Sequence, residues 1–344
     1  MQQPFETMPT VLTAEEIINH AFNEATKAEV EFSDKVPTMI KAKKREGARI
    51  MIAEKETTGY LEALVKSVPT LDDIHPFYRE MLEIQLGVAK AKSALGRISR
   101  AARIIHEVGK ASIRQLKGAR NPTAAATARR AFMGRTSSLV RGAEEDIATI
   151  SLLREKMKDL PAADPSVPTI VLAGYPGVGK STIVSKLSSA KPMVRPYPFT
   201  TQEIIIGHIK SGRGVIQVVD TPGILDRPLA ERNKAELLAI SALGYLSNII
   251  AFIVDISESN GFSLSSQKHL LDDVKQTFAG RDLLTFFNKA DLATPQQLEE
   301  AEALFGKCDR ISATKGDGLD IFLERLNQSV KENLQEDPPR RTIA

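Results

Sequence analysis

The sequence predicts two architectures in series: an all-helical, antiparallel bundle over residues 1–165, then an α/β unit over residues 166–334 with a mostly parallel sheet and helices on both faces. Three observations predict it. The first half places apolar residues at helical spacing, punctuated by Pro and Gly. Past residue 165, short apolar runs alternate with helical patterns, as parallel sheets with crossover helices require. Between the two lies PAADPSVPT, a Pro-rich linker. A chain of 344 residues is long enough for two cores at roughly 100 to 200 residues per domain. Its 42% hydrophobic and 26% charged residues exclude disordered, collagenous and coiled-coil classes. The lone Cys308 rules out an internal disulfide, and no signal-peptide pattern follows Met1, so a cytoplasmic setting is expected.

In chain order, Thr13 and Glu16 form a capping box ahead of Ile17, Ile18 and Phe22, which opens a first helix. A second runs from Thr38 to Ser67, ended by Pro69, with a turn over Leu71 to Ile74. A long Ala/Leu/Ile/Arg-rich helical segment starts near Phe77, with breaks expected at Gly109 to Ser112 and at Gly118 to Pro122. A last helix is expected over Thr123 to Leu160. The α/β unit begins with the strand TIVLA at Thr169, continues with strands over Val215 to Val219, IIAFIV and Leu283 to Phe287, and ends in a helix from Asp320 to Leu334 before a polar tail. Leu237 to Val254 is eighteen uncharged residues, a membrane-span length. Gly244, Ser247 and Asn248 interrupt it, so it reads as a helix end followed by a buried strand.

Charge is unevenly distributed. Residues 1–165 carry a net +4 and residues 166–344 a net −1, but Lys90 to Arg141 holds thirteen basic residues against one acid, Glu107. The basic residues are Lys90, Lys92, Arg97, Arg100, Arg103, Lys110, Arg114, Lys117, Arg120, Arg129, Arg130, Arg135 and Arg141. A solvated helix face usually mixes signs, so this segment favours a polyanion, nucleic acid before an anionic membrane or a plain surface. Phe132 is its one aromatic, so phosphate contact outweighs base stacking. Lys90 and Lys92 apart, these side chains are the RNA-binding candidates.

TIVLA runs into GYPGVGKST and then an apolar-periodic helix. Gly174, Gly179, Lys180 and Ser181 fill the phosphate-loop pattern, within the contiguous site Tyr175, Pro176, Gly177, Val178 and Thr182. Glycines let successive N–H groups curl around phosphate at a helix N-terminus. Lys180 would bridge the terminal phosphates and the Ser181 hydroxyl would take a Mg²⁺ position. Asp220 to Gly223, DTPG, follows a strand: its carboxylate can hold metal through water, and the Gly223 N–H can meet the γ-phosphate. NKAD then offers Asn288, Lys289 and Asp291, whose carboxylate can accept from both guanine ring N–H and exocyclic amine. Adenine lacks that pair of donors, so the base is guanine. In SATKG, Ser312, Ala313 and Thr314 complete the base site, with the Ala313 N–H directed at the guanine keto oxygen.

Together these motifs resemble the G domain of translation-factor-like GTPases over roughly residues 166–330, and PYPFTT resembles the switch I signature of Obg-type GTPases. That resemblance implies Thr201, or Thr200, as the Mg²⁺ and γ-phosphate ligand. DTPGILDRPLAERN is similar to the nucleolar GTP-binding protein 1 family, which assists large-subunit ribosome assembly and carries a helical domain before its G domain. The resemblance implies a compact form without the eukaryotic C-terminal extension. It implies GTP and GDP, ribosomal RNA, a pre-large-subunit particle and ribosomal proteins as partners, with no membrane and a monomer favoured. Lys180, Thr201 and Gly223 would carry the chemistry. Gly177 stands where Obg-type relatives place a potassium-contacting Asn, which puts potassium in doubt. Ile224 replaces the water-orienting Gln of Ras-like enzymes, so intrinsic turnover is expected to be low. Tyr197 and Phe199 could anchor a partner or staple their loop. His20, His75, His106, His208 and His269 show no metal spacing. The alternative is an RNA-binding placeholder with incidental hydrolysis.

Overall fold

A computed structural model describes residues 4–31, 35–158, 160, 167–189, 191–196, 203–211, 214–227, 232 and 234–336. Most of the linker, the switch I string from Tyr197 to Thr201, and the tail from residue 337 lie outside them. The chain forms two compact units. One comprises Pro4–Ile74 and Gln85–Lys158; the other comprises His75–Ile84 and the chain after residue 159.

The first unit is helical. Helix α1, Ala14–Thr26, starts at the expected capping box, with Thr13 Oγ1 accepting from the Glu16 N–H and Glu16 closing back on the Thr13 N–H at 2.7 Å. Helix α2 spans Thr38–Ser67. Helix α3, Pro76–Gln85, is grouped through Ile84 with the second unit; it ends before Gly87, whose φ of +88° turns the chain into α4, Val88–Gly118. The expected break at Gly109 to Ser112 is absent: α4 runs straight through it. Gly109 is there for closeness, since a Cβ on it would lie 2.6 Å from Glu54 Oε2 of α2. The helix does end at Gly118, and Asn121 caps α5, Pro122–Gly142, by accepting from the Ala124 N–H at 2.7 Å.

The single last helix expected over Thr123 to Leu160 is two helices. Ala143 leaves helical geometry (φ −100°, ψ 7°), and α6, Glu144–Lys158, begins with Glu144, Glu145 and Asp146. Three carboxylates on a first turn favour a fresh N-terminus, where the helix dipole is positive. The bundle core joins α1, α2, α4 and α5 through Ala25, Ile50, Ala53, Leu116, Ala125 and Phe132. Alanines at these contacts let helix axes approach closely.

The second unit is a seven-stranded sheet in the order β2-β3-β4-β1-β5-β6-β7. Its strands are β1 Thr169–Ala173, β2 Met193–Pro196, β3 Glu203–Ser211, β4 Gly214–Asp220, β5 Ile249–Asp255, β6 Asp282–Asn288 and β7 Asp309–Arg310. Among the described strands, the β2–β3 and β3–β4 pairings are antiparallel and the others parallel. β1 and β5 are buried throughout, which explains their unbroken apolar runs. The uncharged stretch from Leu237 divides between α8, Lys234–Leu246, and β5, and no described helix is long and apolar enough to cross a membrane. Helices α7 Lys180–Leu187, α9 Leu264–Thr277, α10 Pro295–Phe305 and α11 Leu319–Glu336 complete the unit. β1 is central: the chain leaves it towards β4 on one side and later reaches β5 on the other. Ligands of open α/β sheets bind at such a switch point, beyond the strand C-termini.

Candidate functional site

At the end of β1 the phosphate loop is shaped by glycines whose side-chain space is already taken. Gly174 (φ +134°) would set a Cβ 2.5 Å from the Ile253 carbonyl, and Gly179 (φ +105°) would set one 2.2 Å from Asn288 Nδ2. Gly179 leads straight into α7. Val178 is fully buried and offers its carbonyl to Asn288 Nδ2 at 2.7 Å. The Gly174 N–H donates to the Leu225 carbonyl at 3.0 Å, joining this loop to the DTPG turn. Pro176, Gly177, Ser181 and Thr182 have solvent access, while Tyr175 is buried and stacks on Phe262 at 4.1 Å.

Lys180 is buried, its ammonium donating to the carbonyls of Gly174 (2.6 Å) and Tyr175 (3.0 Å). Burial pulls its pKa below the ordinary lysine value, with Asp220 and Asp226 acting the other way. From the end of β4, Asp220 accepts the Ser181 hydroxyl at 2.5 Å through Oδ2, while its Oδ1 is buried with no hydrogen-bond partner among the described residues. Burial pushes the Asp220 carboxyl up, opposed by Ser181 and Lys180. An anionic oxygen left unpaired beside a hydroxyl is a costly arrangement that a hard cation would satisfy. The donor set fits magnesium.

Across the sheet, Asn288 (1% exposed) joins the strings that sequence alone places apart: its Nδ2 reaches the phosphate loop, and its Oδ1 accepts the Ala313 N–H at 2.9 Å. The Ala313 N–H, expected to donate to a guanine keto oxygen, donates here to Asn288. Asp291 is held below the usual carboxylate range, first by a hydrogen bond from Ser312 and then by Lys315. Ser312 is buried and Thr314 is exposed. Thr201, Thr200, Tyr197 and Phe199 lie outside the described residues.

The family model described as NOG1 N-terminal helical domain matches residues 5–164, and the one described as 50S ribosome-binding GTPase matches residues 169–289. An uncharacterized protein of Methanocaldococcus jannaschii is 37% identical over 297 residues, 86% of this chain and 83% of that one. Nucleolar GTP-binding protein 1 of Drosophila melanogaster is 35% identical over 248 residues, 72% of this chain and 38% of the fly protein. The chain belongs to the nucleolar GTP-binding protein 1 family. As a family member it is a GTP-binding protein with a P-loop GTPase domain, a fold that in general requires Mg²⁺. It spans less than half the length of the eukaryotic relatives it matches. A solved Plasmodium falciparum structure described as nucleolar GTP-binding protein 1 is 29% identical, with a TM-score of 0.44, over 52% of this chain and 93% of that one.

Two groups around the site were not legible in the motifs. The first is the loop after β5. Asp255, fully buried, accepts from the Ser257 N–H and hydroxyl through Oδ1, and from Ser259 Oγ, the Asn260 N–H and Lys289 Nζ (2.7 Å) through Oδ2. The signal was a carboxylate closing an otherwise apolar strand, as Asp220 does in β4. The second group, Asp226 and Arg232, lies within the family-like string after DTPG, which supplied the resemblance but no roles.

The basic segment also changes on folding. Arg97 pairs with Asp146 at 2.6 Å, Lys110 with Glu107 at 3.2 Å, Arg141 with Glu15 at 2.6 Å, and Arg129 with Glu46. Lys92 pairs with Asp72 at 2.5 Å. Most of these acids come from outside the segment, so a local count overstated the free charge. Arg100, Arg103, Arg114, Lys117, Arg120, Arg130 and Arg135 are exposed and have no carboxylate partner among the described residues. On α4, positions 100, 103, 110, 114 and 117 repeat at three, four or seven residues and share one helix face.

Proposed function

We propose that this chain hydrolyses GTP as a nucleotide-dependent switch in assembly of the large ribosomal subunit, with its helical unit holding ribosomal RNA by the phosphates. The observation that carries the nucleotide reading is Asp220: a buried carboxylate hydrogen-bonded to Ser181 and left with one bare oxygen beside a phosphate loop. Ser181 and Asp220 would hold Mg²⁺, with Thr201 (alternatively Thr200) as the switch I ligand. Bound there, the ion would supply positive charge against the phosphate oxygens. Lys180 exchanges its two carbonyl contacts for the terminal phosphates. The loop from Gly174 to Thr182 wraps the phosphates, and Asp291, kept ionised, recognises guanine with Asn288, Lys289, Ser312, Ala313 and Thr314 around it. Gly223 donates to the γ-phosphate. Ile224 is 1% exposed and apolar, so no side chain there orients a water; turnover is slow until a partner supplies a group. Gly177 offers no side chain to potassium.

The RNA reading rests on the seven unpaired cations. Two measurements test the pair of claims. Titration calorimetry should give heat with GTP and Mg²⁺ but not with ATP; equal affinities would end the guanine reading. Crosslinking to cellular RNA with GTP or GDP should give a signal that depends on nucleotide and disappears on reversing Arg100, Arg103, Arg114 and Lys117 to Glu. A signal indifferent to nucleotide would favour the RNA-binding placeholder, and sedimentation with anionic vesicles that RNA cannot displace would favour a membrane.

A further inference from the structure

The DTPG turn folds back on itself through charged side chains. The Gly223 N–H donates to Asp226 Oδ2 at 2.7 Å. Arg232 clamps the same turn from behind: its guanidinium donates to the Gly223 carbonyl at 2.6 Å and to Asp226 Oδ1 at 3.2 Å. The Arg232 side chain is fully buried, and its Nε has no hydrogen-bond partner among the described residues. Arg227 and Arg232 both face Glu236 on α8, at 2.9 and 3.9 Å.

One N–H serves one strong acceptor at a time. A carboxylate at hydrogen-bond distance from Gly223 both uses that donor and repels a second anion brought to it. We propose that the Asp226 carboxylate, braced by Arg232, is an internal rival of the γ-phosphate for the Gly223 N–H, and so sets the balance between GTP and GDP. This rests on the reading of Gly223 as the γ-phosphate donor. GDP has no group to place there and leaves the latch intact. GTP must turn Asp226 aside, which frees a guanidinium whose Nε is unspent and loosens the tie from the turn to α8. The rival therefore makes Asp226 a specificity-determining residue, and Arg232 acts through it as a positioning residue.

The test measures affinities of the full chain for fluorescent GDP and for the non-hydrolysable analogue GMPPNP, in Asp226→Ala and Asp226→Asn alongside wild type. Removing a charged rival for one donor should tighten GMPPNP binding about tenfold while GDP stays within about twofold. Asp226→Asn keeps the shape and loses the charge, so it should fall between. Asp226 also acts on Lys180 electrostatically, and GDP reports that part because Lys180 meets phosphates of both nucleotides. An unchanged GMPPNP-to-GDP ratio in Asp226→Asn, or equal losses for both nucleotides in the two variants, overturns the proposal. If Asp226→Ala does not fold, Asp226→Asn decides alone. Wild-type chain that binds GDP and GMPPNP normally keeps the Gly223 reading separate from this outcome; wild type binding neither removes both.

Discussion

Gly179 has no room for a side chain. A methyl there meets Asn288 Nδ2 at 2.2 Å in a backbone conformation that L side chains avoid. Gly179→Ala should therefore push Asn288 off both Val178 and Ala313 and weaken nucleotide binding at least about tenfold, with a loss of one buried hydrogen bond or more, about 1 kcal/mol each; calorimetry and thermal unfolding read the two effects. Cys308 behaves oppositely, as a residue with little to do. Burial, then Asp309 and Glu302, push its thiol up to about 11. Because the raised value keeps it protonated until the pH nears that figure, alkylation by iodoacetamide at pH 8 should run about a hundredfold slower than for a thiol titrating at 9. The motif strings were legible in sequence because each is a short run that follows a strand. Asp255, Asp226 and Arg232 were not, since their partners are tertiary.

Elements followed the same division. Helix starts marked by a side-chain cap were readable, and Thr13→Ala should cost about 1 kcal/mol of stability by opening the capping box, checked by chemical denaturation. Glycines were ambiguous: Gly118 ends α4, yet Gly109 lies inside it because Glu54 of α2 presses against that position. Sequence shows the missing Cβ but not what fills its place. The loop after β5 gathers on the Asp255 carboxylate, with Gln267 and Gln297 bonding its backbone as well. Asp255→Ala strips acceptors from Ser257, Ser259, Asn260 and Lys289 together, and Asn260 Cβ lies 3.3 Å from where a Cβ on Gly177 would stand. This variant should release GDP faster, by about tenfold, because the phosphate loop loses its neighbour and Lys289 its anchor; stopped-flow displacement of fluorescent GDP measures it, and an unchanged rate would leave Asp255 a purely local brace.

At the scale of the molecule, the fold class was legible because composition and periodicity change together near the linker, whereas net surface charge was not. Charge reversal at Arg100, Arg103, Arg114 and Lys117 should flatten the salt dependence of RNA binding, each lost phosphate contact lowering the logarithmic slope by about 0.7 to 0.9. Reversal at Arg97 should instead lower thermal stability, since Asp146 is buried and would be left unmatched, and reversal at Arg129 should cost less, because Glu46 keeps Arg49 at 3.4 Å. The path of the chain carries a practical consequence. His75–Ile84 is grouped with the nucleotide-binding unit although it lies early in the sequence, and Phe77, Met81 and Leu82 within it are fully buried. Anyone trimming the gene to begin at residue 166 would discard those side chains and uncover whatever they shield, so such a fragment should be sticky and short-lived in solution, and adding back a peptide of residues 75–85 should restore it.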